Sequence, residues 1–166
     1  MKLELIVLPV TDVDRAKAFY SRLGWHCDID HTAATGVRIV QFTPPGSDTS
    51  IMLGAQIASG TPGSVKELHV SVTDIEDARE NLIQRGVAVS ELFHDDGGIF
   101  HRAGPEGRIK GPNPERKSYA SYASFSDPDG NTWVMQEITA YIGADLRPGD
   151  ARFTHQLVNA ALGLPN

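Results

Sequence analysis

Residues 8 to 25, LPVTDVDRAKAFYSRLGW, and residues 70 to 87, VSVTDIEDARENLIQRGV, are two versions of one pattern. A shift of 62 positions lays Val10 on Val72, Thr11 on Thr73, Asp12 on Asp74, Ala16 on Ala78 and Gly24 on Gly86. A repeat of this length constrains the fold strongly, because each supersecondary unit has to be built twice. In each copy a strand ends and a helix begins. Thr11 and Thr73 are expected to cap these helices, with Asp14 and Glu76 three residues on completing a capping box. Ala16, Phe19, Tyr20 and Leu23 form an apolar face in the first helix, and Ile75, Ala78 and Leu82 do so in the second. Gly24 and Gly86 end them.

Strand-like runs follow each helix. The first copy continues with Trp25 to Ile29, VRIVQF (37 to 42) and SIMLG (50 to 54). The second continues with VAVSELF (87 to 93), YASYASF (119 to 125) and NTWVMQE (131 to 137), the last introduced by the turn DPDG. The expected fold class is therefore α+β, with two tandem β-α-β-β-β modules (about 1–57 and 66–139) forming a shared curved-sheet groove. They make one domain, 1–139. Residues 140–166 are a C-terminal extension expected to be helical, capped by Asp150, with a stripe of Phe153, Leu157, Val158, Ala161 and Leu162 and a stop at Gly163.

Composition narrows the partners. The 166 residues carry a net charge of −6 with no basic block, which argues against nucleic acid or an anionic membrane surface. The apolar runs are too short for a membrane span, and LELIVLPV after Met1-Lys2 lacks a signal-peptide pattern. With a single cysteine, Cys27, a reducing, cytoplasmic setting is expected, and a buried thiol among apolar neighbours.

The repeated helices VTDVDRAKAFYSRLGW and VTDIEDARENLIQRG, the β-α-β-β-β order and the DPDGN turn resemble the vicinal oxygen chelate superfamily. That group includes glyoxalase I, extradiol dioxygenases and bleomycin-resistance proteins, and the resemblance covers about residues 2 to 139. In its metal-using members four side chains, one from the first and last strand of each module, hold a divalent ion. Transferred to this chain, those positions are Leu5, Met52, Glu67 and Val134. Leu and Val have no donor atom, and a thioether suits hard cations poorly. The resemblance therefore implies the scaffold without its metal, and no other cofactor.

His69 lies two residues after Glu67, so strand alternation would set both on one groove face. A displaced metal half-site on Glu67 and His69, completed by His94, Asp95, Asp96 or His101, is the sharper reading. Polar groups lining a groove and solvated loop residues are the plainer and favoured one. Tyr119 and Tyr122 are read on opposite faces of one strand, and Trp133 and Met135 as core. Arg38 is read as a solvent-facing strand residue. Residues 94 to 118, Gly/Pro-rich and aperiodic but carrying Ile99, Phe100 and Ile109, are read as a loop, either a lid or a surface segment.

These residues define a mostly apolar ligand-binding groove of Leu5, Val7, Met52, Glu67, His69, Val134 and Gln136. The expected function is binding of a small organic molecule without the family metal. The alternative is a divergent lyase- or isomerase-type enzyme with Glu67 as acid/base and His69 as its partner. A third possibility is a scaffold whose groove is filled by its own side chains. Open sheet edges and the tail stripe lead to the expectation of a homodimer.

Overall fold

A computed structural model describes residues 2–55, 57, 59–97 and 106–165. The first module gives β1 (Leu5–Pro9), α1 (Val13–Arg22), β2 (His26–Thr32), β3 (Arg38–Thr43) and β4 (Ser50–Gly54). The second gives β5 (Leu68–Val72), α2 (Ile75–Gln84), β6 (Phe93–Asp95), β7 (Arg108–Lys110), β8 (Ser121–Ser126) and β9 (Thr132–Glu137), and α3 (His155–Leu162) follows. The first sheet has the order β1-β4-β3-β2 and the second β5-β9-β8-β6-β7. Without β7, the second order is the first one repeated. The expected α+β architecture of two β-α-β-β-β modules is therefore present. No described helix is long and apolar enough to cross a membrane.

The added strand corrects one expectation. Residues 94 to 118 are not a continuous loop, because His94 and Asp95 belong to β6 and 108 to 110 form β7, paired antiparallel with Phe93↔Lys110 and Asp95↔Arg108. Three-residue strands are too short to leave a periodic signal. Ile99, Phe100 and His101 lie outside the described residues.

By packing, the chain forms two compact units. One comprises Met1–Leu68, Leu82–Ala88 and Phe125–Trp133, the other His69–Asn81, Val89–Ser124 and Val134–Asn166. In the first unit Ala16, Phe19, Tyr20 and Leu23 of α1 are buried, as are Leu8, Val40, Phe42, Ile51 and Leu53. The Tyr20 ring centre lies 6.0 Å from Phe42 and 5.4 Å from Trp25. Arg38 is not a free solvent-facing residue: it holds Asp30 through two nitrogens and Asp14 of α1 at 2.7 Å.

The caps lie one residue later than expected. Asp12, not Thr11, accepts the Arg15 N–H at 2.9 Å. Asp74, not Thr73, accepts those of Glu76 and Asp77, both at 3.0 Å. A carboxylate also complements the positive end of the helix, which favours Asp over Thr here. Thr11 is thereby released, and its N–H and hydroxyl both bind Asp129 of the DPDGN turn.

That turn is a structural hub. Asp127, 5% exposed, accepts the Asp129 and Asn131 N–H groups at 2.9 Å on Oδ1, and the Tyr20 hydroxyl at 3.0 Å and the Asn131 amide at 2.8 Å on Oδ2. The Tyr20 oxygen in turn accepts Trp133 Nε1–H at 3.1 Å. Burial pushes the Tyr20 phenol well above its ordinary range, so it remains a neutral donor. Trp133 and Met135 are buried as expected.

In the second unit the tail packs onto its own chain. Phe153 bridges Ser118, and Lys117 reaches the Ala151 carbonyl at 2.8 Å. Thr154, not Asp150, caps α3; Asp150 instead holds Arg152 at 2.7 Å. Of the tail stripe, Phe153 and Val158 are buried, while Leu162 stays exposed.

Asp127→Ala should lower stability by about 3 kcal/mol or more, since it strands several buried donors at once. Tyr20→Phe should cost about 1–2 kcal/mol, because Trp133 Nε1 loses its acceptor. Urea unfolding followed by tryptophan fluorescence measures both, and equal losses from the two variants would contradict the hub role of Asp127.

Candidate functional site

Each sheet turns one face away from its helix, and of the expected ligand residues all but Glu67 belong to strands. In the first sheet the register sets Leu5 against Ser50, and Val7, Met52 and Gln41 side by side. Their neighbours in sequence, Leu8, Ile51 and Leu53, are buried on the other face, whereas Leu5, Val7, Met52 and Gln41 are half-buried. The structure therefore brings Leu5, Val7 and Met52 together.

A carboxylate absent from the expected set flanks this stripe. Asp28 accepts Thr43 Oγ1–H at 2.6 Å, Gln41 Nε2–H at 3.4 Å and His26 Nδ1–H at 2.8 Å. Because Thr43 spends its one hydroxyl proton on Asp28, Ser50 donates to Thr43 across 2.7 Å. The Thr43 and His26 hydrogen bonds hold the Asp28 carboxyl below the usual range, so it stays ionised. Sequence reasoning missed Asp28 because the strand register shifts between Cys27 and Ile29, a bulge that breaks simple alternation.

In the second unit Val134 and Gln136, both on β9, are buried. Val134 clusters with Phe93 and Tyr122, whose rings stack with centres 5.5 Å apart. Gln136 Nε2 donates to the Tyr119 carbonyl at 3.0 Å, and its Oε1 lies 3.3 Å from His69 Nδ1. An amide oxygen can only accept, so His69 presents its N–H there. Burial raises the Tyr122 phenol to about 12, and its hydroxyl donates to the Tyr119 carbonyl. Tyr119 is not on the strand with Tyr122; it precedes β8, with φ 69°.

Glu67 is placed differently from its strand reading. β5 begins at Leu68, and Glu67 stands before it, exposed, with φ 56°. Its N–H donates to Thr132 Oγ1 at 2.8 Å. A left-handed residue interrupts strand alternation, so the period that sets His69 and Ser71 on one face does not extend back to Glu67.

The family's metal does not fit these residues. Leu5 and Val134 offer no donor atom, Val134 is buried in a cluster with Phe93 and Tyr122, and Met52 offers only a thioether. Among the described residues no three His, Cys, Asp or Glu side chains are grouped to hold an ion. His94, one of the displaced-site candidates, points Nδ1 at the Gly111 carbonyl, 2.9 Å away. With Asp95 and Asp96 it lines a polar cleft of about 530 Å³, whose other walls include Glu115, Lys117, Asp150 and His155.

Comparison with known proteins agrees with the fold. The family model described as Glyoxalase/Bleomycin resistance protein/Dioxygenase superfamily matches residues 2–135. No curated protein matches the chain. Among solved structures, TnmS3, an antibiotic binding protein from Streptomyces sp. CB03234, is 29% identical, with TM-score 0.58 over 83% of this chain and 96% of that one. A glyoxalase/bleomycin resistance protein from the same strain is 30% identical, with TM-score 0.56 over 82% and 100%. A superfamily member from Sphaerobacter thermophilus DSM 20745 is 25% identical, with TM-score 0.58 over 82% and 97%. With the repeated sheet order and the DPDGN hub, the match over residues 2–135 means that this chain belongs to the glyoxalase/bleomycin resistance protein/dioxygenase superfamily.

Proposed function

We propose that the chain binds a small organic molecule and does so without the family's metal. The observation that carries this reading is the side-chain chemistry at the four metal positions, where Leu5, Met52 and Val134 supply apolar surface in place of ligands. In the first unit the half-buried stripe of Leu5, Val7 and Met52 offers the apolar area usual for an organic ligand. In the second unit the His69–Gln136 pair offers fixed polar groups of the kind that orient one. TnmS3, an antibiotic binder of similar sequence and fold, supports the same direction. Glu67, exposed on a left-handed residue, is poorly held for proton transfer, so binding is preferred to acid/base catalysis.

The test is calorimetric titration of chelator-treated protein with bleomycin and a panel of other antibiotics. Binding of at least one compound, one per chain and insensitive to added EDTA, is expected. Met52→Asp, which sets a charge on the apolar stripe, should weaken it about 10-fold or more, or about 1.4 kcal/mol. Failure of every compound, or turnover that requires a divalent ion, overturns the reading.

Elemental analysis of protein purified without chelator should find zinc, nickel, manganese and iron far below one per chain. A stoichiometric ion lost on Glu67→Gln would refute the metal-free assignment.

A homodimer belongs to the same proposal. Leu3, Ile29, Ile109 and Tyr141 are large apolar side chains left exposed on the chain, and β2 and β7 are terminal strands of their sheets. Light scattering should return twice the 18.0 kDa chain mass; a mass near 18.0 kDa excludes the dimer.

A further inference from the structure

We propose, building on the binding reading above, that Arg108 is the anchor for an anionic oxygen group, a carboxylate or sulfonate, carried by the organic ligand. The argument starts from register. Arg108 of β7 pairs with Asp95, and Phe93 pairs both with Lys110 and with Tyr122. Phe93 and Asp95 are two apart on one strand, so Arg108 shares the face of Phe93. Its guanidinium lies over that ring, 4.1 Å from the centre. Phe93, Tyr122 and Val134 form one buried cluster, and Gln136 is two residues further along β9. Arg108 therefore occupies the same sheet face as two of the expected ligand residues.

What distinguishes Arg108 is a missing acceptor. Its Nε is buried without a hydrogen-bond partner, and among the described residues it forms no ion pair. Arg15, Arg38, Arg79, Arg116 and Arg152 each hold a carboxylate. Asp95, its cross-strand neighbour, accepts the Gly97 N–H at 2.7 Å. A guanidinium is always charged and presents a planar fork of donors that matches a planar or tetrahedral oxyanion. Held over Phe93 by a cation–π contact, it is already oriented, so a ligand anion meets it with little ordering left to do. A buried donor with no acceptor is unfavourable for folding alone and is explained by an acceptor that arrives with the ligand.

The test uses two fluorescent probes that differ by a sulfonate: anionic 8-anilinonaphthalene-1-sulfonate and neutral N-phenyl-1-naphthylamine, at one fixed ionic strength. The wild-type chain should bind the sulfonate about 10-fold more tightly than the neutral probe. Arg108→Gln should remove that preference and leave the neutral probe's affinity unchanged, while Arg108→Lys, which keeps the charge but not the fork, should fall between. Lys110→Gln is the control for general surface charge, because Lys110 is exposed and paired with Glu91 at 3.2 Å, and it should change neither affinity. Thermal midpoints of all variants establish that they are folded. Unchanged sulfonate binding in Arg108→Gln, or an equal loss in Lys110→Gln, overturns the anchor while small-molecule binding stands. Failure of both probes to bind the wild-type chain overturns the anchor, while the binding reading is decided by the antibiotic titration.

Discussion

Asp127 is the constraint on which the first unit depends. Its two carboxylate oxygens are filled by the turn that contains it and by the hydroxyl of Tyr20, which belongs to the first helix. A buried carboxylate is tolerated only when its acceptor capacity is met. Here backbone N–H groups, an amide and a phenol meet it, and the phenol oxygen then anchors the Trp133 indole. Residues more than a hundred positions apart in the chain are thereby fixed in one arrangement, with Phe19, Trp25 and Phe125 packed around them. The DPDGN turn is a structural latch, and its strand carries Val134 where relatives that use a metal carry a ligand.

The surroundings of Val134 suit an apolar side chain. A carboxylate at 134 would need donors or an ion. Val134 instead completes an apolar cluster with Phe93 and Tyr122, and the polar work on that strand moves two residues on, to Gln136 and its contact with His69. On the first sheet the corresponding positions became an apolar stripe bordered by the ionised Asp28. In the reading proposed above, these positions offer shaped apolar surface with a few fixed polar groups in place of ion ligands, which the fold itself does not oppose.

Much of this was legible in the sequence because the repeat is internal. The two modules, both glycine stops and the buried helix face of Ala16, Phe19 and Tyr20 follow from periodicity alone. The helix caps were misplaced by one residue because Thr and Asp are adjacent in both copies and either can cap. Leu5 and Met52 came from the family resemblance and Val7 from its two-residue spacing to Leu5, while Asp28 was hidden by the bulge beside Cys27. Glu67 and Tyr119 were misread for a common reason: both adopt positive φ at a strand's edge, and a two-residue period says nothing about where it stops. β7 and Arg108 left no signal because three residues are too few to show a period.

The latch also bears on the ancestry of the repeat. In the second module the turn between the last two strands opens Asp127-Pro128-Asp129-Gly130; in the first it opens Pro44-Pro45-Gly46-Ser47, and its one acid, Asp48, pairs with Lys2. Thr11 and Thr73 occupy equivalent places, yet it is Thr11 that receives Asp129. The two copies are complementary at this point, one supplying the acids and the other the hydroxyls. A gene that simply duplicated the first module would inherit both helix caps and both glycine stops, and would have lost the bolt that locks Tyr20 in place.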